Sequence, residues 1–374
     1  MMRARSLRAV VARRGVSCGL LFAITIAAGC SGGSDVPPSA NPAAPVTAVD
    51  ASVDSNVLAD AGSNDSVAAN GLRPGRAFAL DNGVDNPKVD GLAVRLGWSG
   101  LEPQEGTYDF TRLDTVLAAV KAQNKKATLH VAATEFQGAT PTWLEAAGAK
   151  FYTYSFRGRP PTKEPVPWDP VYLAKWSAFL PKLAEHLKAS GYLALVENAS
   201  IAVPEPEMNL VGCANGMLDG ASVPFDRSQY LAAWKQMVDL YHSVLPTVNK
   251  LVSAPQNGIC GLDNDKEFYR NLMDYALAKD APRFWLFAAD LSAKGSDRVQ
   301  TYADYEGKAS IGFQPVAAFT SDPNHWVKGS LLDLYCSGLK MGAVYFEVYS
   351  ADLANQDPAV QQAISAIHTP TSCN

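Results

Sequence analysis

The sequence has little charge and lacks the short motifs that mark several common classes of active site. Charged residues make up 18% of the 374 residues, with 32 basic against 37 acidic side chains. No glycine-rich phosphate loop, His-Glu-x-x-His or Cys-x-x-Cys appears, so no nucleotide, metal or dithiol site is indicated. Because phosphate binding depends on clustered lysine and arginine, we expect no nucleic-acid partner. No metal or organic cofactor is implied.

Residues 1–29 predict a targeting segment with five arginines, no acidic residue and an apolar core from Gly19 to Ala28. That core is too short to span a bilayer as a stable helix. It ends Ala-Ala-Gly-Cys30, which resembles a bacterial lipobox with alanine where leucine is usual. The resemblance implies that Cys30 is acylated. Since Ser31 follows, it implies anchoring in the bacterial cell envelope, at the outer membrane. A cleaved secretory signal without lipid is the alternative.

Residues 30–71 predict a disordered tether. Their Ala, Ser, Asp, Asn, Pro and Val composition has no sustained period and cannot bury enough surface to offset the entropy of ordering. Without residues 1–29 the chain has 27 basic and 37 acidic residues, a net charge of −10. Residues 72–374 suit one large α/β domain.

Residues 72–374 alternate apolar strands with amphipathic helices. Eight strand-helix units predict a (β/α)₈ TIM barrel. The predicted strands are Arg76–Asp81, Gly91–Leu96, Ala127–Ala132, Ala199–Val203, Lys250–Ala254, Phe284–Ala288, Ser310–Phe313 and Ala343–Phe346. Asp169-Pro170 and Asp226 are predicted to begin two of the helices.

One stretch of the barrel carries a family resemblance. Residues 97–110 read Gly-Trp-Ser-Gly-Leu-Glu-Pro-Gln-Glu-Gly-Thr-Tyr-Asp-Phe, and residues 141–144 read Pro-Thr-Trp-Leu. Both resemble signatures that follow the second and third strands of clan A glycoside hydrolases, particularly the family 42 β-galactosidases. The resemblance implies a carbohydrate-acting barrel.

In such barrels the active site lies at the carboxyl ends of the strands. The residues predicted to contact sugar there are Trp98, Glu102, Glu135, Gln256, Asn257, Asp290, Gln314 and Tyr349. Rim aromatic residues suit stacking on sugar faces, although packing of the long loop after the third strand on itself explains them equally well.

Glycoside cleavage needs a carboxylic acid and a second carboxylate. Clan A enzymes keep the acid after the fourth strand, where this chain reads Pro204-Glu205-Pro206-Glu207. We favour Glu207 over Glu205 as the acid, because Glu205 sits between two prolines at the strand end. Solvated loop carboxylates are the alternative.

The nucleophile of those enzymes follows the seventh strand, where this chain has Gln314 instead of glutamate. Glutamine cannot form the covalent intermediate. Glu347, on the eighth strand, is the nearest substitute, and the distance from the fourth strand favours an inverting pair. Two alternatives are a strand count wrong by one, which makes Glu347 the seventh-strand nucleophile, and a structural pairing of Glu347 with Arg95.

The sequence therefore predicts a monomeric, exported glycoside hydrolase-like protein. A non-catalytic glycan-binding protein on a degenerate barrel is the alternative that Gln314 favours. A structural envelope protein without ligand would need the rim residues to be scattered.

Two disulfides are expected, because four cysteines remain beyond Cys30 in an oxidising compartment. Cys213 and Cys260 follow neighbouring strands and are predicted to pair with each other. Cys336 and Cys373 form the second predicted pair.

Overall fold

The computed structural model describes residues 68, 70–134, 138–154, 162–204, 213–214, 217–218, 223–253, 266–296 and 302–373. The chain divides into two units, Met1–Ala61 and Gly62–Asn374, and every described residue belongs to the second. The predicted signal segment, Cys30 and most of the predicted tether lie outside the described ranges. Within those ranges, no helix is both long and apolar enough to cross a membrane.

Eight parallel strands close into a barrel in which each strand pairs with its neighbours in chain order and β8 pairs with β1. The predicted (β/α)₈ barrel and its strand count are therefore confirmed, and Glu347 lies on the eighth strand. The strands are β1 (Arg76–Leu80), β2 (Gly91–Gly97), β3 (Lys126–Ala132), β4 (Val196–Ser200), β5 (Asn249–Ser253), β6 (Phe284–Leu291), β7 (Ile311–Pro315) and β8 (Ala343–Tyr349).

Helices cover the outside of the barrel with their apolar faces. They are α1 (Thr111–Ala122), α2 (Pro170–Ala189), α3 (Arg227–Val244), α4 (Lys266–Asp280), α5 (Leu331–Lys340) and α6 (Pro358–Ala366). Asp169 and Asp226 accept backbone N–H bonds at the starts of α2 and α3, as predicted. The expectation of a helix after every strand is wrong for the first unit, because β1 reaches β2 through residues 81–90 without one.

The main boundary error is in β4, which lies three residues before its predicted position. Glu197 and Asn198 are polar and do not resemble a buried strand. Their partners come from distant positions: Glu197 forms an ion pair with Arg76, and Asn198 Nδ2 donates to Thr128 Oγ1 at 3.0 Å. These partners make polar strand residues compatible with the barrel.

The barrel interior and the layer between barrel and helices are separate apolar cores. The interior core consists of Phe78, Leu80, Ala93, Leu251, Trp285, Phe287, Ala289 and Tyr345. TIM barrels usually fill this space with bulky apolar side chains. Here buried polar residues also occupy the strands: Thr128, His130, Asn198, Ser200, Asn249, Ser253, Gln314 and Glu347.

Cys336 of α5 and Cys373 of the C-terminal segment form a disulfide, which confirms the second predicted pair. The backbone of Cys213 lies in the two-residue strand Cys213–Ala214, part of a small sheet with Met217–Leu218 and Val223–Pro224. Cys260 lies outside the described residues, so the pairing of Cys213 with Cys260 stays a prediction. A further hairpin, Phe151–Tyr154 with Thr162–Pro165, lies between β3 and α2.

Candidate functional site

Three of the predicted sugar-contacting residues lie at the carboxyl ends of β6, β7 and β8. Gln314 is almost fully buried, and its Nε2 donates to the Tyr349 hydroxyl at 3.1 Å. Asp290 is half-buried and accepts a hydrogen bond from Ser296 Oγ at 2.8 Å. A β-bulge between Ala288 and Leu291 adds a residue to β6 at this point. Bulges of this kind redirect side chains near active sites.

An ion pair that the sequence did not assign to the site lies at the ends of β1 and β2. Arg95 Nε donates to Asp81 Oδ2 at 3.0 Å, and the Arg95 backbone N–H donates to Asp81 Oδ1 at 3.2 Å. Each side chain is 33% exposed, so both are accessible to solvent. In the sequence, the single arginine within the apolar run of β2 was the only indication of this ion pair. This geometry gives the barrel opening a fixed, planar cation.

Glu347 lies inside the barrel, two residues before the end of β8, and is fully buried. Its Oε1 lies 2.7 Å from His130 Nε2 of β3 and accepts from the Tyr345 hydroxyl at 2.8 Å. Because β3 and β8 are not neighbouring strands, the contact with His130 crosses the interior. The alternative pairing of Glu347 with Arg95 is wrong, since Glu347 contacts His130 and Arg95 binds Asp81.

Two chains of hydrogen bonds end on the Glu347 carboxylate. Ser200 Oγ lies 2.7 Å from His130 Nδ1, so in the neutral imidazole Ser200 donates to Nδ1 and Nε2 donates to Glu347. The second chain runs from the amino end of the barrel: Arg283 Nη1 to Asn249 (3.2 Å), Asn249 to Asn198 (3.2 Å), Asn198 to Thr128 (3.0 Å), then Thr128 to Tyr345. Burial and the negative charge of Glu347 raise the pKa of Tyr345 well above its usual value.

This arrangement favours a structural role for Glu347 over the predicted catalytic one. The side chain has no exposed surface that a substrate could contact, and its Oε1 already accepts two hydrogen bonds. Glu347 Oε2 is also buried and has no hydrogen-bond partner among the described residues. We therefore assign Glu347 to holding His130 and Tyr345 in the barrel interior.

Trp98 and Glu102 are buried in the loop after β2, which favours a supporting role for them over the predicted contact with sugar. Trp98 is fully buried and packs against Trp143 and Trp176, with ring centroids 5.4 and 4.9 Å away. Its Nε1 donates to Glu102 Oε2 at 2.7 Å, and the Gly106 N–H donates to Oε1 at 2.8 Å. Burial raises the pKa of Glu102, while the bonds from Gly106 and Trp98 oppose that shift. The motif that carries the family resemblance therefore fixes the loop after β2.

The described rim tryptophans also pack within the protein. Trp143 Nε1 donates to the Glu102 backbone oxygen at 2.9 Å. Trp168 contacts the rings of Phe225 and Tyr230 at 5.7 and 6.1 Å. Loop packing therefore accounts for these two residues.

Several predicted site residues lie outside the described ranges: Glu135, Glu205, Glu207, Gln256 and Asn257. Their roles stay predictions. The structure adds buried carboxylates that the sequence did not mark, among them Glu164 and Asp352. Glu164, on the hairpin after β3, accepts hydrogen bonds from Thr134 and Tyr152. In the described part of the chain, no group of three or more His, Cys, Asp or Glu side chains is arranged to hold a metal ion.

Residues 88–198 match the sequence profile of glycoside hydrolase family 42, described as beta-galactosidase. The matched part includes β2 and β3, enters β4 and stops before Glu205 and Glu207. It covers less than a third of the chain and none of β5 to β8. No curated protein sequence matches this chain.

The chain is also similar to solved glycoside hydrolase structures. A psychrophilic glycoside hydrolase family 10 endo-beta-1,4-xylanase has a TM-score of 0.46 and 10% identity over 74% of this chain and 85% of that chain. Xylanase 10B from Thermotoga petrophila RKU-1, in complex with xylobiose, has a TM-score of 0.46 and 10% identity over 74% of this chain and 81% of that chain. An exo-beta-1,4-mannosidase from Opitutaceae bacterium strain TAV5 has a TM-score of 0.43 and 12% identity over 80% of this chain and 56% of that chain.

Proposed function

We propose that this protein acts on a carbohydrate bound at the carboxyl end of the barrel, with chemistry of the glycoside hydrolase type. The match of residues 88–198 to a β-galactosidase family carries the proposal. The polar groups at the strand ends support it, because Arg95, Asp290, Gln314 and Tyr349 offer the donors and acceptors that sugar hydroxyls require.

The proposed chemistry uses a β4 acid and a carboxylate base. Glu207, in preference to Glu205, protonates the leaving oxygen. Asp290 replaces Glu347 as the base, because Asp290 is half-buried at a strand end and Glu347 is fully enclosed. Since β5 separates β4 from β6, this pair suits the wider spacing of an inverting enzyme, about 6.5–9.5 Å.

Release of reducing ends from a panel of β-linked glycans tests these roles. Glu207→Gln and Asp290→Asn are each expected to lower turnover at least tenfold, because an amide cannot perform acid–base catalysis. Glu347→Gln is expected to retain turnover. Glu205→Gln is the matched control for Glu207→Gln. Wild-type turnover in both Glu207→Gln and Asp290→Asn would contradict the assignment. Turnover lost only in Glu347→Gln would restore the original role of that residue.

Non-catalytic glycan binding is the second candidate, and Gln314 favours it. Gln314 lies near the end of β7, where the resemblance implies a nucleophilic glutamate, and it is held by Tyr349. If calorimetry detects glycan binding that Gln314→Ala weakens, and no glycan is hydrolysed, this candidate replaces the enzyme.

The same proposal includes anchoring of the protein to the cell envelope through acylated Cys30. The lipobox resemblance supports it, and so does the predicted tether between Cys30 and the barrel. Labelling of cells with a fatty-acid probe is expected to mark the wild-type chain and not Cys30→Ala, which should be released in soluble form or remain an uncleaved precursor. Fatty-acid labelling of Cys30→Ala as strong as that of the wild type would count against lipidation at Cys30.

A further inference from the structure

A groove of about 780 Å³ lies along α5 and is lined in part by the loop that follows β6. We call it the lysine groove, because Lys294, Lys328 and Lys340 line it and all three are exposed. The loop after β6, the loop before α5, α5 itself and the C-terminal segment line the groove.

The lysine groove combines positive charge with apolar surface. Asp333 is its one acidic lining residue, and its carboxylate accepts from the Ser330 hydroxyl at 2.6 Å. Partly buried Ala293, Leu332 and Met341 line the groove together with Cys336 and Cys373. Three lysines against one aspartate stand out in a chain whose residues from Cys30 onward carry a net charge of −10.

The chain enters the folded domain beside this groove. Asn70 Nδ2 donates to the backbone oxygens of Pro370 and Cys373 at 2.8 and 2.7 Å. Ser372 and Cys373 line the groove. Asn70, which lies shortly before β1, is therefore held at the edge of the lysine groove.

We propose that the lysine groove binds an anionic lipid at a membrane surface. Lysines beside an anionic leaflet are attracted to its headgroups, and Leu332 and Met341 suit the apolar part of a lipid. An acidic polysaccharide would use the lysines equally but would leave these apolar side chains without a matching partner. The proposal does not depend on the proposed hydrolysis, because Asp290 and Gln314 are not among the described residues that line the groove.

Hydrogen exchange of the full chain with lipid vesicles tests this proposal locally. Peptides covering residues 292–296 and 326–341 are expected to exchange at least threefold more slowly with vesicles of phosphatidylcholine and phosphatidylglycerol than with phosphatidylcholine alone. The effect should disappear in 0.5 M NaCl, where charges are screened within about 4 Å. The same experiment on Lys294→Glu/Lys328→Glu/Lys340→Glu should show no slowing.

The matched control is Lys121→Glu/Lys188→Glu/Lys308→Glu, which reverses three exposed lysines elsewhere and should keep the slowing. Because the signal segment is identical in all variants, its own membrane binding cancels. Equal slowing in the groove variant and the control, or no slowing in the wild type, would overturn the proposal. Slowing by soluble polygalacturonate but not by vesicles would assign the groove to an acidic glycan instead. Glutamine replacements provide the same test if charge reversal prevents folding.

Discussion

Glu347→Ala is expected to lower the free energy of unfolding by about 3–5 kcal/mol, because unsatisfied buried donors and a new cavity add their costs. The substitution removes the shared acceptor of His130 and Tyr345 and leaves two buried donors unsatisfied. It also opens a cavity in a fully enclosed part of the barrel.

Urea unfolding followed by circular dichroism measures this loss. Glu347→Gln is the matched variant: its amide oxygen still accepts from Tyr345 and His130, while its NH₂ group takes the position of the unpartnered Oε2. We expect it to cost about 1–3 kcal/mol. A loss below 1 kcal/mol in Glu347→Ala would show that the network does not hold the interior together.

The barrel was predictable because most strands are short apolar runs that a helical period separates from the next strand. The depth of each strand side chain along the barrel axis was not predictable. Glu347 and Gln314 occupy neighbouring strands near their ends, yet the sequence does not reveal that His130, 217 residues away, crosses the interior to reach Glu347. The sequence therefore could not show that Glu347 is enclosed in the barrel interior.

The family motif shows the same limit. Trp98 and Glu102 match the signature residue by residue, but the match alone does not tell whether a residue binds substrate or supports a loop. Their bonds to each other and to Gly106, and the packing of Trp98 on α2, establish the supporting role. In contrast, Cys336 and Cys373 could be paired from the order of elements alone.

Lys250 is a buried cation that the sequence placed only as the start of a strand. It is fully buried on β5, and its Nζ has no hydrogen-bond partner among the described residues. The Phe284 ring centroid lies 5.5 Å from Nζ. Burial lowers the pKa of Lys250 from 10.5 to about 8; Asp280 opposes this shift and Arg283 adds to it. At pH 7 the amine is protonated at a cost of about 3 kcal/mol relative to the unfolded chain.

Lys250→Met is therefore expected to raise the free energy of unfolding at pH 7 by about 2–3 kcal/mol, because it keeps a long side chain and removes the buried charge. Between pH 8 and 10.5 the unfolded wild-type chain binds more protons than the folded one, so its stability should rise with pH in that window relative to Lys250→Met. Urea titrations at pH 7, 8.5 and 10 measure both effects. The matched control, exposed Lys188→Met, should differ from wild type by less than about 0.5 kcal/mol at each pH. A less stable Lys250→Met protein, or a stability difference from wild type that does not change with pH, would show that the buried amine is compensated in the folded state.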